Sequence, residues 1–166
     1  METVKQVLLS LVMSVVALVL FFTFTSSAQA DSLVATGFAW HAAAHNRGKD
    51  DANYNEVNPG LGYEHVINDD VTIALGYYQN SYYRHSNYLL YQWQPLHYKT
   101  SKLGAWKLGL SMGQVTGYTT RTFNPVVLPT LTYQYERVGF NIGFLPVPPI
   151  NQNSVAAIQF KFSFGK

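Results

Sequence analysis

The sequence predicts an all-β protein, an eight-stranded antiparallel transmembrane up-and-down β-barrel preceded by a cleavable signal peptide. Three observations point there. Residues 1–30 read as an export signal: Lys5 near the start, an apolar run from Val7 to Phe24, and the small-x-small site Ala28-Gln29-Ala30 before Asp31. The chain has no cysteine, so an exported fold must be held by a continuous hydrogen-bonded scaffold rather than by disulfides. Only 12% of residues are charged, against twelve tyrosines, ten phenylalanines and three tryptophans, the composition of a surface turned toward lipid. The domains expected are the signal, 1–30, and the barrel, 31–166.

Period-two alternation marks the strands. A first strand near 33–42 carries Gly37, Ala39 and His41 on one face, and a second lies near 60–67. In the third, Val71, Ile73, Leu75 and Tyr77 oppose Thr72, Ala74, Gly76 and Tyr78; a fourth lies near 87–97. Trp106, Leu108, Leu110 and Met112 oppose Lys107, Gly109, Ser111 and Gly113 in the fifth. Leu131, Tyr133 and Tyr135 alternate with Thr130, Thr132 and Gln134, and Val138 to Phe144 alternates with Gly139, Asn141 and Gly143. The eighth sets Ile158, Phe160, Phe162 and Phe164 against Gln159, Lys161 and Ser163, and its aromatic ending resembles the closing strand of outer-membrane barrels. Each apolar set is expected to face lipid and each small or polar set the lumen.

An even strand number puts both ends on the periplasmic side. Short turns then fall at Asn68-Asp69-Asp70, near Lys99 to Ser101, and at Glu136-Arg137, with longer outer connections near 43–59, 80–86, 114–125 and 146–154. His41 ends strand one and Asn80-Ser81 ends strand three, so both sites belong to one outer rim. A barrel of this size has no room for an aqueous pore, but it can hold one small or slender ligand. Ala35, Gly37, Ala39, Gly76 and Gly109, read as inward-facing, would leave space for it. A net charge of +2, unchanged by loss of the signal, and the lack of a basic run give no reason to expect nucleic acid.

These residues carry a family resemblance. Trp40-His41, Tyr54-Asn55-Glu56 followed by Gly60 and Gly62, Asn80-Ser81, Pro125 to Pro129, Phe144-Leu145-Pro146 and Phe160 to Phe164 resemble the lipid A palmitoyltransferase (PagP) family over most of the mature chain. The resemblance implies an outer-membrane barrel that moves an acyl chain from a glycerophospholipid donor to lipid A in a Gram-negative cell. It also implies a histidine, an aspartate and a serine at the extracellular rim, which fall by position on His41, Asn80 and Ser81. A monomer without cofactor is expected, and no metal, since His41 and His45 are four apart on a strand and a loop rather than on a helix.

His41 is expected to act as general base on the acceptor hydroxyl. Ser81 is expected to act as nucleophile or as donor to the developing oxyanion. Asn80 would orient one of these, although an amide cannot supply the charge a carboxylate gives an imidazolium. Tyr54, Asn55 and Glu56 shape the first outer loop, and Glu56 could partner a basic group. The family's acyl-ruler glycine falls on Gln92, which points to a shorter chain or an altered pocket. The amphipathic helix that precedes the first strand in the family has no counterpart, because Asp31 to Ala39 are needed for the strand. Pro129 and Pro146 lie on adjacent strands and cannot donate ladder hydrogen bonds, so lipid would enter sideways between them.

Two other readings stand beside transfer. A non-catalytic barrel whose outer loops bind a surface partner is favoured by the amide at position 80. The segment Arg84-His85-Ser86-Asn87 faintly resembles outer-membrane lipid A deacylases, with one intervening residue missing.

Overall fold

In the computed structural model, which describes residues 30–41, 54–118, 122–145 and 154–164, the described residues form eight strands in a closed barrel. The strands are β1 (Asp31–His41), β2 (Val57–Val66), β3 (Val71–Gln79), β4 (His85–Thr100), β5 (Gly104–Val115), β6 (Asn124–Tyr135), β7 (Val138–Leu145) and β8 (Val155–Phe164). Each pairs antiparallel with its neighbours in sequence, and β1 closes on β8, so the sheet has no free edge strand. The expected signal lies outside the described residues, apart from Ala30.

The predicted alternation sorts the side chains. Leu33, Leu61, Leu75, Leu108, Val127, Phe160 and Phe162 are exposed on the outer wall, as a barrel presents to lipid. Trp40, Tyr77, Tyr82 and Tyr83 at one rim, and Trp93, Tyr98 and Tyr135 toward the other end, are exposed aromatics that flank this band.

Ala35 departs from the expected alternation. Pairing of β1 with both neighbours shifts between Thr36 and Phe38, a bulge centred on Gly37. Ser32 and Val34 point inward below it, and Ala39 and His41 point inward above it, so Ala35 is exposed on the outside. A single unpaired residue is enough to exchange faces, because the side-chain period is two.

Gly76 and Gly109 leave no void either. A Cβ on Gly76 would lie 2.5 Å from the Tyr88 hydroxyl, whose ring fills the space, and one on Gly109 would lie 2.0 Å from the Trp93 carbonyl. These glycines permit close approach rather than making room for a ligand.

The half of the lumen nearer the termini is closed by hydrogen-bonded polar side chains. Glu64, 1% exposed, accepts from Lys161 Nζ at 2.8 Å and from Asn141 Nδ2 at 2.5 Å. Thr132 Oγ1 lies 2.8 Å from Asn141 Oδ1 and 3.0 Å from Gln94 Nε2, and Ser111 bonds Thr130 at 2.7 Å. With these groups satisfied by one another, the interior is a packed plug and not a channel.

Candidate functional site

Above that plug, toward the rim opposite the termini, the lumen opens into a cavity of about 600 Å³. The size suits a small or slender ligand. Leu90, Val115, Val126, Leu128, Leu145 and Val155 give it an apolar wall, and Gly37 and Ala39 give β1 a thin one. Tyr88 and Gln159 line it beneath. Gln92 is buried and points inward one step beyond Leu90 on β4, outside the cavity wall.

Polar chemistry gathers at the mouth. His41, at the end of β1, is 5% exposed, and its ring stacks on Tyr54 with centroids 4.6 Å apart. Its Nδ1 has no hydrogen-bond partner among the described residues. Ser81, also 5% exposed, lines the same cavity from the β3–β4 connection, so the shared rim inferred from strand parity is observed. The Ser81 side chain is a hydrogen-bond partner of the Tyr118 hydroxyl, whose oxygen also lies 2.9 Å from that of Tyr78. Burial pushes the Tyr118 pKa up, so this phenol stays protonated and can donate.

Asn80 sits behind the wall. It is fully buried, and its Nδ2 donates to Ser86 Oγ at 2.9 Å and to the Gly117 carbonyl at 3.1 Å. Its Oδ1 accepts from the Tyr82 and Arg84 backbone amides at 2.8 and 3.0 Å. The amide thus folds the β3–β4 connection and ties it to the β5–β6 connection, holding Ser81 at the mouth. In the same turn Tyr83 takes a φ of 60°, a left-handed conformation uncommon for a bulky residue, and Asn80's carbonyl accepts from its amide at 3.0 Å.

Tyr54, Asn55 and Glu56 divide their roles. Asn55 is buried and clamps two connections together, its backbone amide donating to the Ser81 carbonyl at 2.9 Å and its Nδ2 to the Asn80 carbonyl at 3.3 Å. Tyr54 lines the cavity between His41 and the edge of the Tyr82 ring. Glu56 accepts at its carbonyl from Ala39 N at 2.9 Å, and its Oε1 lies 3.5 Å from the His41 backbone nitrogen.

The wall beside the cavity is interrupted. β6 pairs with β7 only from Thr130↔Gly143 to Tyr135↔Val138, whereas β5 follows β6 up to Asn124. The β7 side of residues 125–129, Pro129 included, has no ladder partner on β7 among the described residues, and Leu128 and Leu145 line the cavity there. Pro146 lies outside the described residues, as does His45.

Tyr82, Tyr118 and Asn58 also line the cavity, and sequence reading did not single them out. The one signal available was the placing of Tyr82 and Tyr118 in predicted outer connections, the first of them next to Ser81. The pair His85 and Ser86 is split by the strand: His85 is exposed and stacks on Tyr77, while Ser86 is buried and donates to the Thr116 carbonyl at 2.6 Å.

The fold and site define the class, a closed eight-stranded antiparallel barrel with a rim-facing apolar cavity. No family model and no curated protein matches the chain. Among solved structures it is similar to the backbone structure of the Yersinia pestis outer membrane protein Ail in a phospholipid bilayer nanodisc. The identity is 11% and the TM-score 0.36, over 82% of this chain and 100% of that one.

Proposed function

We propose that this protein, exported by its first thirty residues, spans the outer membrane of a Gram-negative cell as a monomer. There it moves a fatty acyl chain from a glycerophospholipid to lipid A or a related lipid acceptor. The observation that carries the reading is the apolar cavity whose mouth holds His41 and Ser81 and whose side meets the unpaired stretch of β6. An acyl chain lies in such a cavity with its ester at the mouth. Lipid enters through the gap beside Pro129.

In the reaction, His41 takes the proton from the acceptor hydroxyl as its oxygen attacks the donor ester carbonyl. Ser81, with the protonated Tyr118 behind it, donates to the oxygen that gains negative charge. The carbonyl–oxygen bond of the donor then breaks, and His41 returns its proton to the departing lysophospholipid. Asn80 and Asn55 hold Ser81, and Tyr54 holds His41 by stacking. The floor near Tyr88, above Gln92, favours an acyl chain that stops short of the polar plug.

Mass spectrometry of lipid A and phospholipids from membranes carrying the wild type, His41→Ala or Ser81→Ala tests this. An added acyl chain on the acceptor, matched by lysophospholipid and lost in both variants, is the expected result. An unchanged profile in every sample favours the second reading, a non-catalytic barrel whose outer loops bind a surface partner. That alternative draws support from Asn80, an amide engaged wholly in local structure. A lost acyl chain on lipid A would indicate the deacylase, which the opposed faces of His85 and Ser86 disfavour.

A further inference from the structure

A histidine that takes a proton in a buried site works best when an acceptor on its second ring nitrogen fixes the tautomer and offsets the imidazolium charge. Asn80 does not do this here, because both ends of its amide are engaged with Ser86, Gly117, Tyr82 and Arg84. We infer that Glu56 is the positioning carboxylate of His41, an inference that rests on the acyl-transfer reading.

The geometry comes from the start of the chain leading into β2. Glu56 is pinned beside β1 by the bond from Ala39 N to its carbonyl, 2.9 Å. Its Oε1 stands 3.5 Å from the His41 backbone nitrogen. The ring nitrogen Nδ1 is buried and lacks a hydrogen bond among the described residues. At the ring the Ala39 backbone acts through a hydrogen bond and the Glu56 carboxylate acts through its charge. Around it also stand Tyr54, Ser81 and Tyr82, with Val155 paired across from His41 on β8. Among these described residues Glu56 is the one carboxylate.

A rotation of its side chain brings Oε1 from the backbone N–H onto Nδ1–H. Nε2 is then left as the unprotonated nitrogen facing the cavity, and Tyr54 keeps the ring plane in place. The carboxylate expected at position 80 is therefore supplied from a different connection of the same rim.

The test uses the full barrel refolded in micelles, with ¹⁵N-labelled histidine and the His41→Gln variant to assign the ring signals. In Glu56→Gln the titration midpoint of His41 falls by about one pH unit, since an adjacent opposite charge is lost. In Glu56→Asp it stays near the wild-type value. An unchanged midpoint and unchanged ring-nitrogen signals in Glu56→Gln would overturn the inference, as would an equal fall in both variants. In the transfer assay Glu56→Gln lowers kcat about a hundredfold with KM nearly constant, and Glu56→Asp recovers most of it. If the wild type transfers no acyl chain, the proposed function fails, and the histidine titration still decides whether Glu56 acts on His41.

Discussion

At Asn80 a buried amide makes two donor and two acceptor hydrogen bonds, and a carboxylate would reproduce only the two it accepts. Asn80→Asp keeps the acceptors but sets a negative oxygen against the Gly117 carbonyl. Losing that donor in a site with no solvent costs about 1–3 kcal/mol. Urea unfolding of the variant in vesicles should show this loss, and its transfer activity should fall rather than rise. A variant of unchanged stability and higher activity would mean that position 80 is the electrostatic partner of His41 after all. The sequence supplied His41 and Ser81 as a pair at one rim, because strand parity alone brings the ends of β1 and β3 together. It could not supply Tyr118 or Asn58, whose places depend on how connections fold over the mouth.

At the scale of elements, alternation made the eight strands legible. The inner and outer faces of β3, β5, β7 and β8 follow directly from which residues repeat every second position. Ala35 was misread for a local reason: the bulge at Gly37 changes parity within β1, and a glycine in an alternating run gives no indication of which face it shifts. The prolines of β6 gave a more faithful signal. They mark a stretch where the ladder to β7 stops at Thr130↔Gly143 while the ladder to β5 continues. Amides of residues 126–128 that point to the β7 side should therefore exchange with solvent or lipid-bound water much faster than those of 131–135. Hydrogen exchange resolved by residue checks this, and uniform protection along β6 would close the proposed lipid entrance.

For the whole molecule, the lumen divides into a polar plug near the termini and an apolar cavity near the opposite rim. The plug depends on Glu64, whose two oxygens are taken by Asn141 and Lys161. Glu64→Ala leaves the Lys161 ammonium without its partner in a largely buried place, at a cost of about 3–5 kcal/mol. Glu64→Ala with Lys161→Met should recover much of that loss, and urea unfolding of both variants measures it. Recovery would leave the rim chemistry intact, since the cavity lies above this layer.

In the proposed reaction the rim cavity presents an acyl ester to His41 and Ser81. Its most direct test is transfer by the purified barrel in mixed micelles that hold a phospholipid with a labelled acyl chain and lipid A as acceptor. Labelled acyl-lipid A and equimolar lysophospholipid are expected from the wild type, with neither product from His41→Ala in a barrel that still folds. Equal transfer by wild type and His41→Ala, or none from a folded wild type given several donor chain lengths, would contradict it.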